Sequence, residues 1–301
     1  MTELNSHVLA DVIEASNDLQ QATSAVKTKE TVKADGSGFV EMGLAPELLA
    51  ALRDLSFTQP TPVQVRAIPL ALQDNADKPA NDLLVSSQTG SGKTAAFLLP
   101  VLHTLLQQQQ QQEKDENKAW ADKVAQAAAR GEEAPKKQRR KNPTDTRHVK
   151  PANPGALILC PTRELAQQVA KDAIDLVRHC KGLRIACVVG GMPYPLQIAR
   201  LRSKQLHLDK VQFLVVDEAD RMLDLGFAED LAEVHKLTQT RRQTMMFSAT
   251  FAPRIQQLAA RIMRAPQRLQ VDSPQEAHAN IKQVLFWADS QQHKRKMLDH
   301  W

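Results

Sequence analysis

The chain is poor in cysteine and in aromatic residues, and both shortages narrow the kinds of protein it can be. Its 301 residues include three cysteines, and aromatic side chains make up 4% of the sequence. Cys160, Cys180 and Cys187 have no CxxC spacing, so the sequence indicates neither a disulfide framework nor a zinc site. So few aromatic residues also argue against a surface that grips nucleic-acid bases mainly by stacking.

The sequence also lacks a basic leader followed by an apolar stretch, and it has no apolar run long enough to span a bilayer. We therefore expect a cytoplasmic protein without a membrane contact. The net charge of +5 is unevenly spread, because residues 107–150 hold 11 basic and 7 acidic side chains. The basic character thus belongs to one segment and does not by itself indicate a nucleic-acid-binding fold.

Composition predicts one main domain with flexible additions. Residues 1–37 lack a sustained apolar period and are predicted to form a disordered tail. The domain covers residues 38–274, and a glutamine-rich, then basic and proline-rich segment interrupts it at 107–154. We predict that this segment is a disordered insertion, in which residues 120–130 could form a transient helix.

Within the domain, short apolar runs alternate with helical patterns. Continuous apolar strands of this kind imply an α/β fold with a parallel sheet covered by helices on both faces. In such sheets ligands bind at the carboxyl ends of the strands. The predicted strands are 82–87, 155–160, 184–190, 211–217 and 243–250.

The first predicted strand leads into "SQTGSGKT", which precedes a helical pattern. This loop fits the phosphate-binding motif G-x-x-x-x-G-K-[ST], except that Ser87 replaces the first glycine. Lys93 would reach the β- and γ-phosphates of a nucleotide, and Thr94 would ligate Mg²⁺. The alternative, a glycine-rich turn with an N-cap threonine, is disfavoured by the strand–loop–helix context. The candidate ATP-binding residues of the loop are Ser87, Gln88, Thr89, Gly90, Ser91, Gly92, Lys93 and Thr94.

Another predicted strand ends in a cluster of acids, within "FLVVDEADRM". Three carboxylates so close together either start a helix or receive a cation. The phosphate loop favours the cation site, since a bound nucleotide would bring Mg²⁺, which Asp217 would hold together with Thr94. Glu218 would then accept a proton from the attacking water. The candidate catalytic residues are Lys93, Asp217 and Glu218.

Over residues 39–286, leaving out the insertion, the chain resembles the DEAD-box ATP-dependent RNA helicases, of bacterial type, whose motifs it carries in the family's order. The resemblance implies a RecA-like P-loop NTPase fold and the use of ATP with Mg²⁺. It also implies RNA bound mainly through its sugar-phosphate backbone, which agrees with the shortage of aromatic residues.

"SFTQPTPVQ" resembles the family's Q motif, and Ser56 stands where the family usually has glycine. The resemblance implies that Gln64 reads the adenine edge and that Phe39 stacks on the base. The stretch from Thr61 to Gln64 also fits a capping box, with Pro62 at the first helical position. Both interpretations stay open for the motif.

Three further motifs carry implied roles in RNA binding and in coupling. "PTRELAQQ" resembles an RNA-backbone motif, which implies that Thr162 and Arg163 face a phosphate. Gly190 and Gly191 resemble the glycine pair that lets the backbone approach RNA. Taken alone, each of these also fits an ordinary helix start or turn. "SAT" resembles the motif that couples nucleotide state to strand separation, and its hydroxyls are expected to contact the acidic cluster; the coupling residues are Asp220, Ser248, Ala249 and Thr250.

The chain departs from the family in two places. Residues 275–301 resemble the interdomain linker and the start of a second RecA-like domain, whose later motifs, including its arginine finger, do not follow. We therefore expect half of a motor, weak or inactive alone. In addition, 25 residues separate Gly191 from Asp217. The family places a further strand and a "TPGR"-like RNA-binding turn there, which leaves open a sheet that lacks one strand.

Three functions are compatible with these motifs. The first is the ATP-binding half of a DEAD-box RNA helicase. The second is a non-catalytic remnant that binds nucleotide and RNA, or a partner, without turnover. The third is a phosphate-loop ATPase that acts on something other than RNA, which the Q motif and "PTREL" disfavour. RNA-stimulated ATP hydrolysis would separate the first from the second.

Overall fold

A computed structural model of the chain describes residues 37–73, 81–130, 153–201, 207–271 and 287–300. At its centre lies a five-stranded sheet in the order β2-β3-β4-β1-β5, in which all neighbouring strands are parallel. This confirms the predicted α/β fold with a parallel sheet. The strands are β1 (Leu83–Ser86), β2 (Ala156–Leu159), β3 (Phe213–Val216), β4 (Gln243–Ser248) and β5 (Gln267–Gln270).

Helices connect the strands and cover both faces of the sheet. In the part of the chain that the structure describes, no helix is both long and apolar enough to cross a lipid bilayer. The helices are α1 (Ser37–Glu41), α2 (Pro46–Asp54), α3 (Pro62–Leu72), α4 (Lys93–Ala129), α5 (Arg163–Leu176), α6 (Tyr194–Leu201), α7 (Ala219–Asp224), α8 (Ala228–Leu237), α9 (Pro253–Ile262) and α10 (Gln291–His300), with a 3₁₀ turn at Leu208–Lys210.

The two faces of the sheet carry separate apolar cores. Successive side chains of a strand point to opposite faces, so Val85 joins the core under α2 to α5, and Leu84 joins the core under α7 to α9. Phe97 of α4 packs against Phe247 of β4, with ring centroids 5.3 Å apart. Every residue of β1, β3 and β4 is buried, which fixes the carboxyl ends of these strands in place.

Helix α4 corrects the prediction of disorder that begins at residue 107, because it continues without a break to Ala129. Glutamine, glutamate, lysine and alanine, which dominate this stretch, are all good helix formers. Two side-chain hydrogen bonds also attach the beginning of the glutamine run to the domain. Gln108 donates to Gln212 Oε1 over 2.8 Å, and Gln110 donates to Glu47 Oε1 over 3.0 Å. Residues 131–152 of the predicted insertion and residues 1–36 of the predicted N-terminal tail lie outside the described residues.

The predicted strand at 184–190 is also wrong. Residues 184–189 have no regular secondary structure and form no ladder with any described strand. Their exposed side chains alternate with half-buried ones and with the buried Val189. A strand requires a hydrogen-bonded neighbour, and the outermost strand on that side, β2, pairs only with β3 among the described strands. The sheet instead gains β5 on its other edge. That strand escaped prediction because only Leu269 of its four residues is buried.

Candidate functional site

The loop between β1 and α4 forms at the carboxyl end of β1, as predicted. Its first residue is tied to β4, since Ser87 N donates to Ser248 O over 3.1 Å. Gly90 and Gly92 both have left-handed backbone, with φ of 78° and 92°. At Gly92 a Cβ atom would also lie 2.5 Å from Gln64 Nε2. Glycine is therefore required here both by the backbone conformation and by the close approach of a side chain.

Lys93 lies inside this loop and is 8% exposed. Its ammonium group donates to the carbonyl oxygens of Ser87 and Gln88, over 2.9 and 3.0 Å. The hydroxyl groups of Ser87 and Ser91 share a short hydrogen bond across the same loop. The loop thus encloses a buried cation that is held by neutral oxygens, a setting in which an anion would be strongly favoured.

Asp217 follows β3 at the same edge of the sheet and is 3% exposed. Its backbone N–H donates to Leu159 O over 2.9 Å, and its Oδ1 accepts from Glu218 N over 3.0 Å. Burial raises the pKa of Asp217 to about 6, while the nearby charge of Lys93 acts in the opposite direction. A buried carboxylate of this kind is stabilised by any cation that reaches it.

The donor set suits a magnesium ion shared with a nucleotide. Within the described residues no group of three or more His, Cys, Asp or Glu side chains could hold a metal ion by itself. Mg²⁺ usually keeps several water ligands and takes one or two protein groups together with phosphate oxygens. Asp217, and Thr94 at the start of α4, would supply those protein groups.

Glu218 has a left-handed backbone, with φ of 49° and ψ of 52°, and it stands immediately before α7. Such a conformation is unfavourable for a residue with a Cβ atom and is often found at functional sites. Its side chain is 21% exposed, and its Oε2 lies 3.6 Å from Arg221 Nη1. The backbone of Glu218 is bonded to the buried Asp217, since Glu218 N donates to Asp217 Oδ1.

A contact between the SAT motif and the acidic cluster is present, and the backbone of Ala249 makes it. Ala249 N donates to Asp220 Oδ2 over 3.1 Å, and Ala249 O accepts from Ser86 Oγ over 3.2 Å. The hydroxyl of Ser248 instead accepts from Thr250 N over 3.4 Å. The expectation that the hydroxyls of Ser248 and Thr250 contact the acids is therefore corrected. The backbone of Ala249 joins the acidic cluster to β1.

Gln64 and Phe39 are both buried, at 2% exposure each. The amide of Gln64 is fully engaged, because Oε1 accepts from Thr61 N and Nε2 donates to Gly92 O, each over 3.0 Å. The first of these bonds belongs to the capping-box interpretation, although Thr61 Oγ1 itself is buried without a hydrogen-bond partner. Neither predicted base-contacting side chain presents an open surface, and Gln64 instead links α3 to the phosphate loop.

Three of the four predicted RNA-contacting residues, Arg163, Gly190 and Gly191, line an open cleft of about 390 Å³. Thr162 is the N-cap of α5, its Oγ1 accepting from Leu165 N over 3.3 Å. Arg163 is exposed, and its Nη1 would lie 3.3 Å from a Cβ atom at Gly191. Its Nε also pairs with Glu164 over 2.6 Å. This pairing partly neutralises the cation that the sequence assigns to a phosphate.

Comparison with known proteins agrees with this arrangement. Residues 61–258 match the sequence profile of the DEAD/DEAH box helicases. The chain belongs to this family. It is 34% identical to the ATP-dependent RNA helicase SrmB of Escherichia coli, over 87% of this chain and 54% of SrmB. It is 31% identical to the ATP-dependent RNA helicase RhlB of Pseudomonas syringae, over 82% of this chain and 57% of RhlB. This DEAD-box chain thus spans about half the length of the curated relatives it matches.

Solved structures show the same fold. The yeast DEAD-box splicing factor Prp28 superposes with a TM-score of 0.56 at 27% identity, over 85% of this chain and 56% of Prp28. A DEAD box protein from Methanococcus jannaschii gives a TM-score of 0.55 at 26% identity, over 78% of this chain and 56% of that protein. The RecA-like helicase fold of this DEAD-box chain is therefore established, and the resemblance inferred from its motifs is confirmed.

Two side chains beside the acidic cluster of this DEAD-box chain escaped the sequence analysis. Arg221 faces Glu218 one helical turn away, an i,i+3 spacing that could have indicated the pair. Cys160 follows β2, and burial together with the charge of Asp217 raises the pKa of its thiol to about 12. No sequence signal marked Cys160, because only the sheet brings it close to Asp217. Its thiol stays protonated and weakly nucleophilic.

Proposed function

We propose that this chain binds ATP with Mg²⁺ at the carboxyl end of its sheet and forms the ATP-binding half of an RNA helicase. The observation that carries the proposal is the pair of opposite buried charges there, Lys93 and Asp217. Among the described residues neither group forms an ion pair, and a triphosphate with its metal would satisfy both charges. The cytoplasm, where ATP and RNA are both available, is the proposed compartment.

Each group has a role that follows from its position. Lys93 would exchange its bonds to Ser87 O and Gln88 O for phosphate oxygens, and the amides of the loop would complete the cradle. Thr94 and Asp217 would hold Mg²⁺. When bound, Mg²⁺ neutralises charge that builds up on the phosphate oxygens. These groups together position the triphosphate without covalent chemistry.

Hydrolysis would use Glu218 as the base. Its carboxylate takes a proton from water as the water oxygen bonds to the γ-phosphorus, and the bond from that phosphorus to the bridging oxygen breaks to release ADP. A second RecA-like domain that closes on the nucleotide would bring its arginine finger to the γ-phosphoryl group. We therefore expect slow turnover from this chain alone.

Adenine recognition would require a rearrangement at Gln64. Both halves of its amide are already bonded, to Thr61 and to Gly92, and Phe39 is covered. Nucleotide binding would move α1 and redirect one half of the amide toward the base. Adenine specificity would then be linked to the conformation of the phosphate loop, because Gln64 bonds directly to Gly92.

RNA would bind across Thr162, Arg163 and the Gly190–Gly191 turn by its backbone. A phosphate would have to displace Glu164 from Arg163, so the affinity should be modest and should fall steeply with salt. The ion pair between Arg163 and Glu164 favours a second candidate function, a non-catalytic remnant that binds nucleotide and binds RNA weakly. RNA-stimulated hydrolysis by this chain joined to a second RecA-like domain would exclude the remnant, and its absence would support it.

Calorimetry with ATP, GTP and ADP in the presence of Mg²⁺ tests the nucleotide site. Lys93→Ala should weaken ATP binding about 100-fold, because it removes a buried charge from phosphate contact. Lys123→Ala, on the exposed part of the same helix, should leave ATP binding unchanged. Equal affinity for ATP and GTP would remove the adenine assignment of Gln64, and equal affinity of both lysine variants would remove the phosphate-loop assignment.

A further inference from the structure

The glycine turn at the open cleft carries backbone donors that the described residues leave unbonded. Gly190 and Gly191 line the cleft together with Arg163. Both glycines are exposed, and Gly191 has a left-handed backbone with φ of 78°. In the described part of the chain, no acceptor is bonded to the N–H groups of Gly190, Gly191 and Met192. Exposed amides of this kind can donate to an anionic oxygen.

The backbone that leads into this turn does little to hold it in place. Residues 184–189 pair with none of the described strands, so no described ladder fixes the direction in which the chain enters the turn. A loop with few hydrogen bonds to regular elements opens easily. The position of the glycine pair must therefore depend on contacts from elsewhere.

Helix α6 supplies such a contact through Gln197. Its Nε2 donates to Val189 O over 3.2 Å and to Met192 O over 2.9 Å. Val189 directly precedes the glycine pair and Met192 directly follows it, so a single amide group joins both ends of the turn. The two hydrogens of the amide nitrogen are enough for both bonds. The side chain is half-buried, which partly shields these bonds from water.

The cleft needs a well-placed turn, because its cation and its amides lie very close together. Arg163 Nη1 would lie 3.3 Å from a Cβ atom at Gly191, so one phosphate could contact both groups. Donors that share a ligand must be held within about 0.5 Å of their working positions, which requires support from neighbouring side chains. Gln197 is placed to give that support.

We propose that Gln197 is a positioning residue for RNA binding, which holds the Gly190–Gly191 turn where its amides and Arg163 meet the same phosphate. This role rests on the proposed function, since it takes the ligand of the cleft to be RNA. It belongs to a residue outside the motifs that carry the family resemblance. The affinity for RNA would thus depend on a side chain that itself touches neither RNA nor nucleotide.

Two methionine variants provide a matched test. Gln197→Met keeps the length of the side chain but removes both donors. Gln256 is the fourth residue of α9, as Gln197 is of α6, and its Nε2 donates to Phe251 O over 2.9 Å. Binding of a short fluorescein-labelled oligouridylate to the intact chain is followed by anisotropy at low salt. We expect Gln197→Met to weaken RNA binding about fivefold and Gln256→Met to leave it unchanged.

Rescue and a local signal separate positioning from a general loss of stability. Gln197→His restores one ring N–H donor, so its RNA affinity should lie within about twofold of wild type. The chain has 11 glycines, so ¹⁵N-glycine labelling gives few amide signals. RNA should shift the signals of Gly190 and Gly191 in the wild type, and at equal saturation it should shift them less in Gln197→Met. Calorimetry should give the same ATP affinity for both chains.

Each failure has its own signature. Equal RNA affinity of wild type and Gln197→Met, equal weakening by the two methionine variants, or RNA that binds without shifting Gly190 and Gly191 would overturn the role of Gln197 and leave the proposed function standing. A parallel loss of ATP affinity in Gln197→Met would also overturn this role, because it points to general destabilisation. No RNA binding by the wild-type chain would overturn both the role of Gln197 and the RNA-binding part of the proposed function.

Discussion

Strands β2 and β3 are neighbours with nearly the same kind of sequence, yet their environments differ. All four residues of β3 are buried, whereas all four of β2 are only half-buried. Both strands are apolar throughout, "FLVV" and "ALIL". The difference arises because β3 has a strand on each side, while β2 has one only on the side of β3 among the described strands.

This contrast separates the two functional regions of the molecule. The proposed nucleotide-facing residues stand at the ends of β1, β3 and β4, whose own residues are all buried. The proposed RNA-facing residues Arg163 and Gly191 lie beyond β2, next to residues 184–189, which pair with none of the described strands. How deeply a strand is buried depends on its neighbours as well as on its own sequence. We therefore expect the ends of β1, β3 and β4 to be rigid and the structure beyond β2 to open more easily.

The largest effect is expected from a matched pair of core truncations. Leu157 of β2 and Leu214 of β3 are directly opposed in the parallel ladder. Leu214→Ala should lower the free energy of unfolding by about 3–5 kcal/mol, because Leu214 is 1% exposed. Leu157→Ala should lower it by about 1–2 kcal/mol. Urea denaturation measures both, and equal losses would show that the β2 edge is as well packed as the interior.

Completing the edge should narrow the difference. Insertion of a six-residue apolar strand sequence with flanking turns between Leu201 and Arg202 would offer β2 a second neighbour. We expect a gain of about 2–4 kcal/mol in the free energy of unfolding, together with less aggregation, as an exposed edge invites pairing with other chains. An insertion of the same length made of glycine and serine is the control. A higher melting temperature from the control as well would attribute the gain to length alone.

Asp217→Asn should stabilise the ligand-free chain by about 1–3 kcal/mol at neutral pH, since it removes a buried charge. The folded-state pKa of Asp217 is raised, so ionisation opposes folding above about pH 6. The gain should therefore shrink as the pH falls through about 6, where the wild-type carboxyl takes up a proton in the folded state. Thermal melts across this pH range measure it. A gain that does not vary between about pH 4 and pH 7 would mean that the pKa of Asp217 is the same in the folded and the unfolded chain.

The smallest effect concerns the backbone of Glu218. Asparagine tolerates left-handed conformations better than glutamate, so Glu218→Asn should raise the free energy of unfolding by about 0.5–1 kcal/mol. Glu218→Gln, which keeps the strain and the shape, should leave stability nearly unchanged. In a chain completed by a second RecA-like domain, both variants should lose ATP turnover. Normal hydrolysis by the glutamine variant would remove Glu218 as the base.

The parts of this molecule that the sequence predicted correctly are those fixed by local rules. The loop at Gly90 and Gly92 needs left-handed glycine, and the strand ahead of Asp217 needs continuous apolar residues, so both could be located from a few adjacent letters. The meeting of Lys93 and Asp217 then followed from the general rule for parallel sheets.

The errors concern features that depend on a distant partner. Residues 184–190 have the composition of a strand but pair with none of the described strands. Strand β5 has few apolar residues but pairs with β1. Helix α4 continues beyond its apolar residues because the residues that follow are good helix formers and because bonds such as that from Gln108 to Gln212 stabilise it. In each of these cases the partner lies far away in the sequence, so a local pattern could not have revealed it.

The position of β1 in the sheet has a consequence for how the chain is made. Leu83 pairs with Met245 on one side and with Gln267 on the other. A ribosome that adds about 5–20 residues per second needs roughly 8–30 s between the synthesis of β1 and that of its first partner. During this interval an apolar strand and the phosphate-loop sequence are outside the tunnel with no sheet to join. Nascent chains should therefore depend on chaperone cover, and pauses in translation before residue 243 should lower the yield of folded protein.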